Sequence, residues 1–170
     1  MSLYDFDQIV ERHQDMVFRT LARLTGEREG LEDMAQEAFL RLFRALPHFR
    51  GDAQISTFLY RIVVNVVSDE FRSRKRARLT SPIEDEEARG LAHGAASPAV
   101  LAERAQMQEA VEAGLRELTP QDRTILTLHY QEGRSYEEIA AILDAPLGTV
   151  KTHLYRARER LKAIMKEWTR

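Results

Sequence analysis

Apolar residues recur at spacings of three and four along almost the whole chain, which is the period of one face of an α-helix. No stretch shows the sustained alternation of apolar and polar residues that marks a half-buried strand. The spacing predicts a first helix ending near residue 24, a second over residues 31–46, and a third over residues 57–76 capped by Ser56. The chain is therefore predicted to be all-α.

The second half carries clearer helix-start signals. Pro98 suits the first turn of a helix that ends near residue 117. Thr119 is followed directly by a proline and, three residues after Thr119, by Asp122, which is a typical cap and first turn. Ser135 and Glu138 have the spacing of a capping box, in which each side chain bonds the other residue's backbone N–H. Two further short helices are predicted from these signals.

A turn and a last helix follow. Pro146 breaks the run because its ring disfavours helical geometry at the preceding residue. The helical period resumes at Thr149, with apolar residues inward and basic and polar residues outward. This pattern predicts a helix-turn-helix whose second helix could enter a DNA major groove. The alternative is a helical hairpin whose basic face is only solvated.

Residues 77–97 differ from both halves. They combine proline, glycine, small residues and an acidic cluster with no sustained period, which is typical of a flexible linker. The predicted organisation is therefore a helical bundle over residues 1–76, a linker over residues 77–97 and a helix-turn-helix domain over residues 98–170.

Charge and cysteine content narrow the function. The net charge is −2, which is unusual for a protein that binds DNA unaided, but basic runs are separated from acidic ones. Such a balance suits a protein whose DNA affinity is completed by a partner. The chain has no cysteine, so disulfides and thiolate zinc sites are excluded. A signal peptide and a long apolar run are both missing from the sequence, which predicts a cytoplasmic protein without membrane insertion.

The sequence contains little that indicates an enzyme. The five histidines are dispersed, none at a metal-ligand spacing, and the glycine-rich and nucleophile motifs of common enzymes are missing. The sequence predicts a non-enzyme with no cofactor, no metal and no small-molecule substrate.

Two segments of the first half are candidate binding surfaces. The second helix is apolar over more than one stripe and is rimmed by carboxylates, which suits protein docking or, equally, the centre of a small bundle. Phe49 and Arg50 in the following loop, with Phe58, Tyr60 and Asn65 on the third helix, supply the stacking and hydrogen-bonding groups that hold an unstacked base. Taken alone, the aromatic residues would more often belong to the core.

Three segments together resemble the extracytoplasmic-function (ECF, group IV) sigma factors of bacterial RNA polymerase. LEDMAQEAFLRLFRAL resembles the polymerase-binding segment of region 2, and STFLYRIVVNVVSDEFRSRKR resembles its promoter-melting and minus-ten segment. LRELTPQDRTILTLHYQEGRSYEEIAAILDAPLGTVKTHLYRARERL is similar to region 4 almost without gaps. The resemblance covers nearly the whole chain, and its order of segments is highly specific.

The resemblance implies roles for the residues already noticed. The residues implied to contact core polymerase are Asp33, Gln36, Glu37, Phe39 and Leu40. Those expected at the minus-ten DNA are Phe49, Arg50, Phe58, Tyr60, Asn65, Arg72, Arg74, Lys75 and Arg76. Those implied at the minus-thirty-five DNA are Thr149, Lys151, Thr152, Tyr155, Arg156 and Arg158.

The resemblance also implies partners: core RNA polymerase, promoter DNA and an anti-sigma factor. It suggests two domains that are held apart on polymerase and collapse on each other, or on an inhibitor, when free. The chain departs from the family pattern at Phe58, where many relatives carry tryptophan, and at Asp144, where the turn usually has glycine. Aspartate tolerates the left-handed conformation better than most residues, so the turn is expected to form.

Two rival interpretations remain at this point. A stand-alone helix-turn-helix regulator would bind duplex DNA as a dimer without polymerase. A helical adaptor would dock partners only, and the basic face of its last helix would be incidental.

Overall fold

The computed structural model describes the backbone of residues 5–49, 54–80 and 98–168, and every regular element among them is helical. The elements are α1 (Phe6–Thr25), α2 (Leu31–Ala45), a 3₁₀ turn (Leu46–His48), α3 (Ile55–Thr80), α4 (Pro98–Glu117), α5 (Pro120–Leu126), a π-helical turn (Thr127–Gln131), α6 (Tyr136–Leu143) and α7 (Leu147–Trp168). The predicted all-α fold class is confirmed.

Helices α1, α2 and α3 pack around one apolar core. Leu21 of α1, Leu42 of α2 and Leu59 of α3 are each completely buried. Asp5 caps α1 by accepting a hydrogen bond from the Asp7 N–H, at 3.1 Å. The core stripes on these three helices fall at the apolar spacing expected from the sequence.

Helices α4 to α7 pack around further apolar residues, which belong to the same cluster of buried side chains. Leu128, Ile139 and Val150 are buried there at 0–1% exposure. Gly114 is a point of close contact between α4 and α7, because a Cβ at that position would lie 2.9 Å from Leu161 Cδ1. The absence of a side chain at Gly114 lets these two helices meet.

The helix-turn-helix forms as its sequence predicts. Ser135 Oγ accepts from the Glu138 N–H at 3.1 Å, and the Glu138 carboxylate accepts from the Ser135 N–H at 2.8 Å, which completes the capping box. Asp144 ends α6 in the left-handed region, with φ 51° and ψ 50°. The turn therefore tolerates aspartate. Helix α7 begins two residues before the predicted Thr149, with Val150 N–H donating to the Pro146 carbonyl.

The ends of α3 differ from expectation. Ser56 was expected to cap this helix, and that is wrong: the first helical residue is Ile55, and the Gln54 carbonyl accepts from the Phe58 N–H at 3.0 Å. The helix continues to Thr80, because Arg, Ala and Leu at its end have high helix propensity. Residues 50–53 and 81–97 lie outside the described residues, so domain limits at 76 and 98 stay a prediction.

The two helical units touch. Helix α6 packs against α3, and α5 packs against both α1 and α3. The interface between the units, called here the seam, is part of the site described next.

Candidate functional site

The outer face of α2 is open to solvent. Asp33 and Gln36 are exposed, and Leu40 is 43% exposed. Phe43 continues this face at the same helical spacing and is 57% exposed, although it is not among the site residues predicted from the sequence. Its signal was available, since positions 33, 36, 40 and 43 fall on one side of a helix.

The two remaining predicted α2 residues lie at the rim of this face. Glu37 forms an ion pair with Arg41 at 2.7 Å, and Arg41 also reaches Asp69 of α3 at 2.8 Å. Phe39 is half-buried and packs against the core of the first unit. The arrangement is an apolar centre with a carboxylate edge, as a protein-docking face requires.

Two aromatic residues meet at the start of α3. The ring centroids of Phe49 and Phe58 lie 5.2 Å apart, and Phe58 also packs against the core. Asn65 is exposed two turns further along the helix, on the same side as Phe58. The structure therefore places one aromatic pair and one amide in register, while Arg50 lies outside the described residues.

The basic end of α3 is largely paired with acids. Arg74 contacts Glu27 at 2.6 Å and Glu70 at 2.8 Å, and Arg72 contacts Asp69 at 3.1 Å. The following residues of the predicted set, Lys75 and Arg76, are exposed.

The outer face of α7 gathers all six residues predicted at the minus-thirty-five DNA. Each of them is exposed, whereas Val150, Leu154 and Ala157 point into the core. Tyr155 is 59% exposed, and the Arg158 guanidinium lies over its ring at 5.7 Å. The Thr152 hydroxyl donates to the Gly148 carbonyl at 2.9 Å.

Two cations of that face have no partner among the described residues. Within the residues that the structure describes, Lys151 and Arg156 make neither a salt bridge nor a side-chain hydrogen bond. Their charges are therefore available to an external anion.

One predicted site residue lies in the seam instead of on a surface. Tyr60 is 2% exposed, and its hydroxyl donates to Glu132 Oε2 at 2.8 Å. The Glu132 carboxylate also forms ion pairs with Arg23 at 2.6 Å and Arg19 at 3.4 Å. The Glu132 side chain is 1% exposed. The Arg134 guanidinium lies over the Tyr60 ring at 5.1 Å. From the sequence alone, Tyr60 is predicted to be available to DNA, because its partner Glu132 is 72 residues away and no local pattern indicates the contact.

The surroundings in the seam shift the pKa values of Glu132 and Tyr60. Burial alone would raise the pKa of the Glu132 carboxyl, but hydrogen bonds from Arg23 and Tyr60, with the charges of Arg23 and Arg19, hold that pKa below its ordinary value. Burial, followed by the neighbouring carboxylate, raises the pKa of Tyr60 to about 12. The seam therefore favours an ionised Glu132 and a neutral Tyr60.

A buried arginine makes the second cross-unit contact. Arg123 donates to the Leu24 and Thr25 carbonyls at 3.3 and 3.1 Å, at the end of α1. It also donates to the Leu115 and Arg116 carbonyls, both at 2.8 Å, at the end of α4. Burial, and then the charge of Arg116, lower its pKa. The negative ends of two helix dipoles stabilise this cation.

Metal and membrane sites are not evident in the part of the chain that the structure describes. No group of three or more His, Cys, Asp or Glu residues there has the geometry to hold a metal ion. None of the helices described is both long and apolar enough to span a bilayer.

Comparison with known families matches both units. The Sigma-70 region 2 family matches residues 9–77, and the Sigma-70, region 4 family matches residues 108–161. The RNA polymerase sigma-H factor of Pseudomonas aeruginosa is 36% identical over 159 residues, covering 91% of this chain and 82% of that protein. The ECF RNA polymerase sigma-E factor of Escherichia coli (strain K12) is 35% identical, with coverage of 91% and 83%.

Solved structures share the fold. The sigma factor RpoE of Bartonella quintana, in complex with the anti-sigma factor NepR, superposes with a TM-score of 0.74 at 23% identity, covering 95% of this chain and 97% of that one. CnrH in complex with the cytosolic domain of CnrY superposes with a TM-score of 0.64 at 28% identity, with coverage of 95% and 88%.

Proposed function

Because this chain belongs to the ECF sigma factors of the sigma-70 family, we propose that it binds core RNA polymerase and directs promoter-specific transcription initiation. The observation that carries the proposal is the presence of two open faces, one on each helical unit of the chain. The α2 face is suited to a protein, and the basic α7 face is suited to DNA.

Each unit has its own task in this proposal. The first unit, residues 1–76, docks on polymerase through Asp33, Gln36, Glu37, Phe39 and Leu40, and we add Phe43 to that face. The unit of residues 98–170 places α7 on the minus-thirty-five duplex. Residues 77–97 join them.

Recognition of the minus-ten element uses the start of α3. We assign capture of an unstacked base to the Phe49 and Phe58 pair, with Asn65 supplying hydrogen bonds. Stacking of one base on an aromatic side chain contributes about 1–3 kcal/mol. That is comparable with the few kcal/mol needed to unstack it, so strand opening needs no nucleotide hydrolysis.

Recognition of the minus-thirty-five element uses α7. Lys151, Thr152 and Tyr155 are placed to face base edges, and Arg156 and Arg158 lie nearer the phosphates. Thr149, at the start of the face, completes the set.

An anti-sigma factor is the proposed regulator. The Bartonella relative is a sigma factor crystallised with an anti-sigma factor and shares this fold over 95% of the chain. The proposal places this protein in the cytoplasm, with the polymerase, and assigns it no catalytic step of its own.

Run-off transcription from a promoter library tests the proposal. Core polymerase is assayed with and without the protein, and the promoters that are active only with it should share two sequence blocks. Failure to bind core polymerase in a pull-down, with no promoter firing, would contradict the proposal. Specific duplex binding by the pure protein would then support a stand-alone helix-turn-helix regulator.

A further inference from the structure

We propose that Glu132 is an intramolecular latch that holds the free protein closed, with the second unit covering part of the minus-ten reading helix. The expected effect of the latch on polymerase and DNA binding rests on the proposed function, whereas the contacts of Glu132 do not.

Among the described residues, the Glu132 carboxylate accepts no hydrogen bond from its own unit. Its hydrogen-bonding side chains are Arg19 and Arg23 on α1 and Tyr60 on α3, all in the first unit. A carboxylate that is 1% exposed needs such partners, because burying an unpaired charge is strongly unfavourable. Separating the units would expose Glu132 to water without breaking any hydrogen bond between its carboxylate and the described residues of the second unit.

The local backbone delivers Glu132 to the seam. After α5 the chain widens into a π-helical turn, closed by the Glu132 N–H donating to the Thr127 carbonyl at 2.9 Å. Gly133 follows with φ +64°, which turns the chain toward α6. Single π-helical turns inside helical segments occur frequently at functional sites. Here the turn sets the position of one carboxylate.

Closure covers a defined part of α3. Tyr60 lies under Glu132 and Arg134, and the neighbouring Arg61 donates to the Ala141 carbonyl of α6. The first helix of the helix-turn-helix therefore occupies the side of α3 adjoining the proposed base-capture residues. A DNA strand that tracks α3 past Tyr60 must displace the second unit.

The distance between the units tests the latch directly. The chain has no cysteine, so Glu11→Cys and Glu137→Cys, both at exposed positions, give one spin label on each unit. The labelled protein should show one short, narrow distance distribution. Glu132→Arg places a cation against Arg19 and Arg23, and should move most of the population to longer, broader distances.

Charge exchange provides the matched rescue. Arg23→Glu combined with Glu132→Arg recreates one ion pair and should restore most of the short distance. Glu109→Arg, an equal charge reversal at an exposed site on α4, should leave the distribution unchanged. Glu132→Gln, which keeps the side-chain size, should give an intermediate shift, and helicity measured by circular dichroism shows whether each variant is folded.

Polymerase binding reports the consequence. If only the open form fits polymerase, closure lowers the apparent affinity by the open fraction. Glu132→Arg should then bind core polymerase about tenfold more tightly than wild type, as for a chain about nine-tenths closed. Unchanged distances in folded Glu132→Arg, or a folded exchange variant that stays open, would overturn the latch. Wild type that fails to bind core polymerase contradicts the proposed function instead, and the distances still decide the latch.

Discussion

The cations of the seam and those of α7 are chemically alike but have opposite surroundings. Arg123 has four carbonyl acceptors and is 8% exposed, and Arg23 bonds a buried carboxylate. Lys151 and Arg156 face solvent and have no partner among the described residues. The sequence shows a lysine or arginine in each case. The residues around each cation determine whether its charge stabilises the fold or remains available to a ligand.

The basic end of α3 lies between these extremes. Arg74 is held by two glutamates but remains partly exposed. A phosphate that approaches Arg74 has to replace those partners, so its net gain is smaller than at a free cation. The more fully a cation is paired within the protein, the less it should contribute to DNA binding. Four tests of this comparison follow, beginning with the largest expected effect.

Arg123→Met should lower the free energy of unfolding by about 3 kcal/mol, because carbonyls at two helix ends lose their donor. Denaturant unfolding followed by circular dichroism measures this loss. Lys151→Met is the control and should change stability by no more than about 0.5 kcal/mol, as is usual at an exposed site. Equal losses in both variants would remove the distinction between seam and surface.

Lys151→Ala combined with Arg156→Ala should weaken promoter binding by the polymerase holoenzyme about 100-fold, since each contact to a base or phosphate contributes about 1–3 kcal/mol. Gel shift over a range of salt concentrations measures both affinity and slope. The salt slope should become shallower by about one for each phosphate contact removed. Unfolding stability should stay within about 0.5 kcal/mol of wild type. Unchanged promoter binding would favour the adaptor interpretation.

Closure of the two units should have an acidic and an alkaline limit. The pKa of Glu132 is lowered in the closed form, so its contribution is complete above its ordinary pKa of 4.5 and is lost as the pH falls below it. The pKa of Tyr60 is raised, so its contribution is complete below its ordinary pKa of 10.0 and is lost as the pH rises toward about 12.

Spin-label distances measured across this pH range should therefore show a plateau of closed protein between the two ordinary pKa values. Glu132→Gln should remove the acidic limit, and Tyr60→Phe should remove the alkaline one. A wild-type acidic limit that survives in folded Glu132→Gln would assign it to another group.

Arg74→Ala should give the smallest change, weakening promoter binding by the holoenzyme only about threefold. The reason is that its charge is already paired at 2.6 and 2.8 Å. Arg156→Ala, measured in the same gel shift, should give a loss of about tenfold for one free cation. A larger loss for Arg74→Ala than for Arg156→Ala would reverse the proposed gradation.

Sequence patterns predicted what depends on local rules. Helical periodicity identified the helices of both units, and capping chemistry identified Ser135 and Glu138 as a helix start. The left-handed Asp144 was expected because aspartate tolerates that conformation. The family resemblance, confirmed by the matches over residues 9–77 and 108–161, supplied the function.

Long-range pairing was beyond those rules. Tyr60 and Glu132 are 72 residues apart, and neither periodicity nor composition links them. From the sequence, Arg123 would likewise be expected to be an exposed residue in the first turns of α5, although it is buried against α1. The prediction of a Ser56 cap was wrong for a different reason, because the α3 helix starts at Ile55, two residues before the predicted start, with the Gln54 carbonyl as its first acceptor.

The open face of α2 has a consequence for the timing of initiation. In the closed chain Leu40 and Phe43 are already exposed, whereas Tyr60 is covered. Polymerase can thus meet this face in the closed chain, and stable binding then selects the open form, in which α3 becomes accessible to DNA. Opening is thereby coupled to polymerase binding, so a molecule free of polymerase offers random genomic DNA the α7 face but not the α3 surface around Tyr60.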